Sequence, residues 1–289
     1  VIPPLSYNHY TVQTPEYDEN DRVTKVSRNS RSLVNGQLVN SLDFINHYSY
    51  PAGSNNNMKE FTQSLSEQGP LIKRTVASHG NDDRLLNLRG SIQRDYTYDN
   101  DGNLKTMTNC FGTTHYEYDS FSNLKKVTLP DGKIIEYAVD SNNRRIKKSV
   151  NGQVVEYYLW YDQIHLAAIL NPDKTPRLQY LYNLEQNNSP TMMIKDGQTY
   201  KLVVDPVIGS VRYVYGENGR VKAQEAHYDE YGNMLNNLNP EFQPVLYAGG
   251  LYDFDTKLYR FGARDYDPTI GRWTTKDPIG FAGGDTNLY

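Results

Sequence analysis

A short internal repeat constrains the fold of this chain more than any other feature of its sequence. The segment DYTYDNDGNLKTMTN at 95–109 is echoed by HYEYDSFSNLKKVTL at 115–129, with a shared Tyr-x-Tyr-Asp, then Asn-Leu, then Lys. Aligning the second tyrosine of each unit gives Tyr98, Tyr118, Val139, Tyr161 and Tyr182, at spacings of 20, 21, 22 and 21. The chain is therefore predicted to be an array of units with a period near 21 residues.

The length of the repeat indicates one β-hairpin per unit. A βαβ unit needs about 30 residues, whereas two strands of about 6 to 8 residues and two turns fill the observed period. Asx-Gly pairs, which favour the positive φ angles of tight turns, stand at Asp101-Gly102, Asp131-Gly132, Asn151-Gly152 and Asp196-Gly197. Within each unit, Tyr is expected to stack across strands, and Asp to close the turn through its side chain.

Helical periodicity is almost absent, and 14 Pro and 21 Gly interrupt the chain every few residues. The best helical candidate, 57–65, is short. We expect a hairpin over 34–50 and an exposed loop over 51–57. The predicted fold class is all-β, an array of antiparallel β-hairpins.

Composition indicates a folded protein that does not bind nucleic acid. The chain has 25 Tyr against 8 Phe and 2 Trp, and a tyrosine ring can be buried while its hydroxyl meets water, whereas disordered segments lack aromatic residues. The net charge is −4, with 30 basic and 34 acidic residues interspersed. No charged field would draw nucleic acid or an anionic membrane, and no run of about 18 apolar residues predicts a membrane span.

The sequence carries no signature of a cofactor or metal site. Its six histidines are scattered, and no G-x-S-x-G, P-loop or dinucleotide motif is present, so we expect no cofactor, no metal and no conventional turnover enzyme. DNDGN at 99–103 imitates the opening of a calcium loop, but Cys110 stands where the last ligand, a glutamate, would be. A turn is therefore predicted there, and Cys110, which is alone, is expected to be a packed or incidental thiol.

The repeats resemble those of the YD/RHS family, which occurs in bacterial polymorphic toxins, in C subunits of insecticidal toxin complexes and in teneurin-like cell-surface proteins. DPVIGSVRYVYGENGRVKAQEAHYDEYGNML at 205–235 is similar to the family's last repeats, and LYRFGARDYDPTIGRWTTKDPIGFAGGDTNLY at 258–289 to its RHS-associated core. The resemblance covers 95–289, and Tyr17-Asp18 indicates a further repeat near the start. It implies two domains: residues 1–246 would form the wall of hairpin repeats, and residues 247–289 would form the RHS-associated core, a plug or processing segment.

The resemblance implies a hollow shell, or part of one, that holds a toxin cargo lying downstream of Tyr289. A bacterium would export such a protein, so we expect it to be secreted or on the cell surface and to act in competition between bacteria. Its partners would then include a delivery or secretion apparatus and an immunity protein for the cargo. The start of the chain, which lacks Met and a signal-peptide pattern, indicates that it begins mid-protein or after processing. The alternative is a teneurin-like recognition module that binds glycans or a receptor.

The resemblance also implies a single-turnover aspartic autoprotease in the core. The positions matching the family's catalytic residues are Arg264, Asp265 and Asp277, with Asp267 as the alternative acid. Two carboxylates that share a proton can divide the roles of base and acid, and the arginine can orient one of them or stabilise an oxyanion. The family's D-P-x-G-L cleavage segment is missing, because the sequence stops at Tyr289. A purely structural role, in which these residues lock the plug through turns and salt bridges, stays open beside the catalytic one.

Overall fold

The computed structural model of the protein describes residues 9–34, 37–51, 57–183, 189–283 and 287–289. Regular structure in these ranges is almost wholly β, and its helices are three short 3-10 helices at Pro240–Phe242, Tyr247–Gly249 and Gly280–Gly283. The predicted all-β fold class is confirmed.

Among the described residues, twenty strands form the hairpin array, and four short strands, β21 to β24, form a separate small sheet. In chain order the strands are β1 His9–Tyr17, β2 Val23–Val34, β3 Gln37–Ser49, β4 Glu60–Ser64, β5 Leu71–His79, β6 Leu85–Gly90, β7 Arg94–Tyr98, β8 Leu104–Asn109, β9 Gly112–Tyr118, β10 Leu124–Thr128, β11 Ile134–Val139, β12 Arg145–Val150, β13 Gln153–Trp160, β14 Leu166–Leu170, β15 Pro176–Tyr182, β16 Pro190–Lys195, β17 Gln198–Val204, β18 Val211–Gly216, β19 Lys222–Tyr228, β20 Met234–Leu238, β21 Leu251–Tyr252, β22 Tyr259–Phe261, β23 Arg264–Asp267 and β24 Arg272–Trp273.

The chain divides into two compact units, each built from successive antiparallel pairs. The first comprises Val1–Tyr96, Thr108–Cys110 and Gly284–Leu288, and in it β1 to β7 pair in order. The second comprises Thr97–Met107, Phe111–Gly283 and Tyr289, and in it β9 to β20 pair in order. This nearest-neighbour pairing is the hairpin array that the repeat predicts.

The residues aligned by the repeat all fall at one structural position. Tyr98, Tyr118, Val139 and Tyr182 end the strands β7, β9, β11 and β15, and Tyr161 directly follows β13. Each of these strands also buries one tyrosine, with at most 7% of its surface exposed; the five are Tyr96, Tyr116, Tyr137, Tyr158 and Tyr180. The predicted period is confirmed, and each repeat in this series contributes one buried tyrosine.

The aspartate of each Tyr-Asp unit closes the turn that follows it. The Asp119 Oδ1 accepts hydrogen bonds from the backbone amides of Phe121 and Asn123, both at 2.9 Å, and the Asn123 Nδ2 donates to the Asp119 Oδ2 at 3.1 Å. The same backbone pattern recurs at Asp18, Asp99, Asp140 and Asp229. The turn predicted at 99–103 is one of this series.

The Asx-Gly pairs build two kinds of turn. Asn151-Gly152 and Asp196-Gly197 are tight two-residue turns with positive φ at both residues. In Asp101-Gly102 and Asp131-Gly132 only the glycine has positive φ, because each pair lies inside a longer turn.

The best helical candidate of the sequence, 57–65, is not helical. Residues Glu60–Ser64 form β4, which pairs with β3 on one side and β5 on the other, and the Phe61 ring packs 5.3 Å from that of Tyr48. Pairing on both edges outweighs the local helical preference. Of the hairpin expected over 34–50, residues 37–49 form the strand β3, which pairs with β2, and the turn at 35–36 lies outside the described residues. Most of the loop expected over 51–57, namely 52–56, also lies outside them.

The C-terminal segment packs into the core of the array. Val245 and Leu251 belong to an apolar cluster with buried side chains of β13 to β18, including Tyr180 and Met193. Leu246, Tyr252 and Tyr259 form a second cluster with Ala226 and Tyr228 of β19. The domain boundary predicted at 246/247 falls between the end of β20 and the start of β21.

Candidate functional site

The strand β23 carries three of the four predicted site residues, on two opposite faces. Successive side chains of a strand alternate, so Asp265 and Asp267 share one face and Arg264 lies on the other. Burial follows that alternation, since both aspartates are buried and Arg264 is partly exposed.

Asp265 lies in a fully buried charge cluster. Its Oδ1 accepts a hydrogen bond from the Arg145 Nη2 and its Oδ2 accepts one from the Arg260 Nη1, each at 2.8 Å. All three side chains are at most 2% exposed, and the Arg145 guanidinium carbon lies 3.5 Å from the centre of the Tyr137 ring. Burial acts to lower the pKa of Arg145, but the charge of Asp265, together with those of Tyr137, Asp253 and Tyr158, outweighs it, so that pKa is raised.

Arg260 extends this cluster to the turns of the array. Its Nη2 donates to the Asn123 Oδ1 at 3.1 Å and to the backbone oxygen of Asn143 at 2.8 Å. The Asn123 amide in turn donates to the Asn143 Oδ1 at 2.9 Å. One arginine of the small sheet thus ties two successive Tyr-Asp turns together.

Arg264 and Asp277 meet on the other face of β23. The Arg264 Nη2 lies 2.9 Å from the Asp277 Oδ2, with 21% and 23% of the two side chains exposed. The Arg264 guanidinium carbon stacks 4.0 Å from the centre of the Trp273 ring, and burial lowers the pKa of Arg264. The structure thus brings Arg264 and Asp277 together, whereas Asp265 is held by Arg145 and Arg260 on the opposite face.

The alternative acid, Asp267, takes part in the turn between β23 and β24. Its Oδ1 accepts a hydrogen bond from the Thr269 amide at 2.8 Å, and in the strand pair it stands opposite Arg272. Asp267 is 7% exposed.

A second charged cluster was missed by the sequence analysis. Asp253 is buried and accepts hydrogen bonds from the Tyr137 hydroxyl at 2.7 Å and the Lys148 Nζ at 2.9 Å. Burial acts to raise its pKa, but the charges of Lys148 and Arg145 and these hydrogen bonds together outweigh burial, so the pKa is lowered. Asp255 pairs with Lys148 at 2.7 Å and with Lys133 at 2.9 Å. Asp253 and Asp255 lie just before the segment 258–289, and nothing in the spacing of the lysines along the chain indicates that they pair with these aspartates.

The cysteine and the possible metal ligands lie apart from these clusters in the part of the chain that the structure describes. Cys110 is exposed, and no three His, Cys, Asp or Glu side chains come close enough to hold a metal ion within these residues. No described helix has the length and apolarity to cross a membrane.

Comparison with known proteins places the chain among repeat shells. A family model described as "Teneurin YD-shell" matches residues 16–283. Teneurin-1 of Gallus gallus is 33% identical over 215 residues, 69% of this chain and 8% of the relative, and Teneurin-1 of Homo sapiens is 30% identical over 265 residues, 90% of this chain and 9% of the relative. The "tRNA3(Ser)-specific nuclease WapA" of Bacillus spizizenii is 25% identical over 248 residues, 79% of this chain and 10% of the relative.

Among solved structures, "Crystal Structure of TcdB2-TccC3-TEV" aligns with 96% of this chain and 20% of its own, at 16% identity and a TM-score of 0.46. The chain spans no more than 10% of the length of the three sequence relatives.

Proposed function

Because the chain belongs to the teneurin YD-shell family, we propose that it builds part of the wall of a shell that encloses a segment of its own protein. In this proposal the small sheet β21 to β24 seals the wall. The whole protein would be secreted or displayed at a cell surface, and in a bacterial toxin the enclosed segment would be the cargo.

The buried cluster of Asp265, Arg145 and Arg260 is the observation that carries the proposal. Arg145 opens β12 of the array and lies 120 residues from its partner Asp265 in the small sheet. A buried ion pair whose partner is lost leaves an uncompensated charge, which costs about 3–5 kcal/mol, so these contacts resist separation. A sheet held in this way suits a permanent seal better than a mobile lid.

Protection from proteolysis tests enclosure. The full reading frame is expressed, treated with a nonspecific protease, and probed with an antibody to the segment beyond Tyr289. We expect that segment to survive in the wild type and to be cut in Arg145→Met. The control is Arg89→Met, which removes an exposed ion pair to Asp95. Equal digestion of the segment in wild type, variant and control contradicts enclosure.

We further propose that the core cuts the enclosed segment free by aspartic autoproteolysis. Asp277 is the predicted carboxylate with access to water, and Arg264 holds it at 2.9 Å. In the cleavage step, the ionised member of the carboxyl pair takes a proton from a water molecule, which attacks the scissile carbonyl carbon, and the protonated member donates its proton to the carbonyl oxygen. The C–N bond of the tetrahedral intermediate then breaks: the first carboxyl group gives its proton to the leaving amine, and the intermediate returns a proton to the second, so both groups end as they began. To act as that second group, Asp265 must first leave its two guanidinium contacts and turn to the face of β23 on which Asp277 lies.

A denaturing gel of the full reading frame tests cleavage. Asp277→Asn and Asp265→Asn are expected to remain uncut where the wild type gives two fragments, and Asp267→Asn identifies the alternative acid. Circular dichroism of each variant separates lost chemistry from lost folding. If a folded Asp277→Asn protein splits as the wild type does, these residues are not the protease.

Recognition at a cell surface is the second candidate function, favoured by the identity of 30–33% to the two Teneurin-1 chains. Tyr17 and Tyr161 are 58% and 62% exposed, and such rings can stack on sugar faces. Binding of the chain to a glycan array, lost in Tyr161→Ala, would support it. If the chain binds no glycan, and its full reading frame protects the downstream segment from protease, the results favour the shell function alone.

A further inference from the structure

A cavity of about 300 Å³ lies where the small sheet meets β13 to β15. Its walls are mainly aromatic and aliphatic, and they include Trp160, Tyr182, Phe261, Trp273, Leu166 and Leu251. Pockets of this size that are lined by aromatic residues, with a few fixed polar groups, are typical of small-molecule sites. The apolar walls favour a ligand with a ring or a branched aliphatic group.

The charged groups of this cavity all have one sign. Arg260 and Arg264 line it, and no acidic side chain does among the residues that the structure describes. A second cavity, of about 360 Å³, instead mixes four basic with four acidic residues. The 300 Å³ cavity therefore selects for hydrogen-bond acceptors, and above all for anions.

Arg260 has an unused donor. Its Nη atoms donate to Asp265, Asn123 and Asn143, whereas its Nε is buried and has no acceptor among the described residues. Arg260 and Arg145 also share a single carboxylate, that of Asp265, in the ion pairs of the described chain. A buried donor without a partner is costly, and a carboxylate bound in the cavity would supply the missing acceptor.

We infer that this cavity binds a small carboxylate that carries an aromatic or branched aliphatic group. The ring or branched group would pack between Trp160 and Trp273, and the carboxylate would accept hydrogen bonds from Arg260 and Arg264. Such a site goes beyond wall formation and cleavage, because it requires neither the enclosed segment nor a reaction.

The two tryptophans of the chain give a direct readout. The sequence contains 2 Trp, and both line this cavity, so selectively excited tryptophan fluorescence reports on its occupancy. N-acetylleucine is titrated as the probe, with N-acetylleucinamide as the neutral analogue of the same shape. We expect a saturable change with the acid and about tenfold weaker binding of the amide, because charge-assisted hydrogen bonds are the stronger ones.

Variants locate the site. Arg264→Met keeps an apolar stem but removes the charge, and it is expected to weaken binding of the acid about tenfold while leaving the amide unchanged. Arg212→Met is the matched control, since Arg212 is likewise paired with an aspartate and stacked on an aromatic ring, outside the cavity. Ile164→Glu, at a cavity residue that is 47% exposed, should abolish binding of the acid by repulsion without disturbing the fold.

Two results would overturn the inference. One is the absence of a saturable fluorescence change with N-acetylleucine; the other is equal affinity for acid and amide in the wild type. Both are independent of the cleavage gel and the protease test, because they use this chain alone. If the cleavage assay fails but N-acetylleucine binds as expected, the inference about the cavity holds. If N-acetylleucine does not bind but cleavage and protection are observed, the proposed function holds.

Discussion

At the scale of single residues, Asp265 depends on two guanidinium groups that the sequence does not link to it. Its neighbours in the GARDYDP motif predict a site at this strand, but Arg145 lies 120 residues earlier, in a repeat with no special signature. Spacing along the chain cannot reveal such a partner, because only the folding of the array brings it near. The meeting of Arg264 with Asp277, in contrast, needed only a turn between two close segments.

Replacing Asp265 with Asn should destabilise the protein strongly. The change leaves two buried arginines without their shared counter-charge, and we expect the free energy of unfolding to fall by about 3–5 kcal/mol. Urea denaturation measures it. The control, Asp95→Asn, breaks an ion pair with both partners more than half exposed and should cost less than about 1 kcal/mol. Similar losses in the two variants would mean that the buried pairs contribute little.

Asp229 should make stability depend on pH. Burial raises its pKa to about 6, with a smaller contribution from the nearby charge of Glu230, against an ordinary value of 3.8. The folded state therefore holds this proton more tightly than the unfolded state, so the contribution of Asp229 to stability is lost as pH rises through about 6. Tyr247, Tyr259 and Tyr266, which also face it, stay neutral in this range because burial raises their pKa values.

Urea denaturation at pH 5 and pH 7 tests that linkage. The wild type should gain stability on acidification relative to Asp229→Asn, which has no proton to bind at this position. The paired carboxylates with lowered pKa values, such as Asp253 and Asp255, stay ionised across this window in both proteins. An identical pH dependence in wild type and variant would exclude a raised pKa at Asp229.

At the scale of elements, the repeat predicted the array well because each hairpin is specified locally. The Tyr-Asp turn and the Asx-Gly turn use side chains within about five residues, so the sequence contains all of their partners. The strand β4 within 57–65 could not be predicted in the same way, because it is specified by the strands on both sides of it and not by its own sequence pattern.

The tight turn at Asn151-Gly152 should be intolerant of a side chain. Gly152 has φ of 79°, and a Cβ atom there would meet nothing within 4 Å, so any cost of Gly152→Ala comes from the backbone alone. We expect a loss of about 1 kcal/mol or more in thermal or urea unfolding. Gly216→Ala is the control, because Gly216 lies outside the positive-φ region and has room for a Cβ. Equal effects would argue against backbone strain as the cause.

At the scale of the whole molecule, the C-terminal segment is part of the core of the second unit. A chain ending at Leu238 would lose Val245 and Leu251 from the apolar cluster and expose the buried faces of β14 to β18. We expect it to be less stable, to bind a hydrophobic dye and to associate, as exposed apolar patches do. Dye fluorescence and size-exclusion chromatography measure this. A monomeric truncated chain of unchanged stability would mean that the array folds alone.

The pairing of Arg145 with Asp265 also sets an order of events during synthesis. Ribosomes add roughly 5–20 residues per second, so the 120 residues between the partners take on the order of 10 s to appear. Throughout that interval the nascent hairpins around β12 exist with Arg145 still hydrated and the face next to it open. Closure is therefore a late, vectorial step that cannot precede the translation of β23.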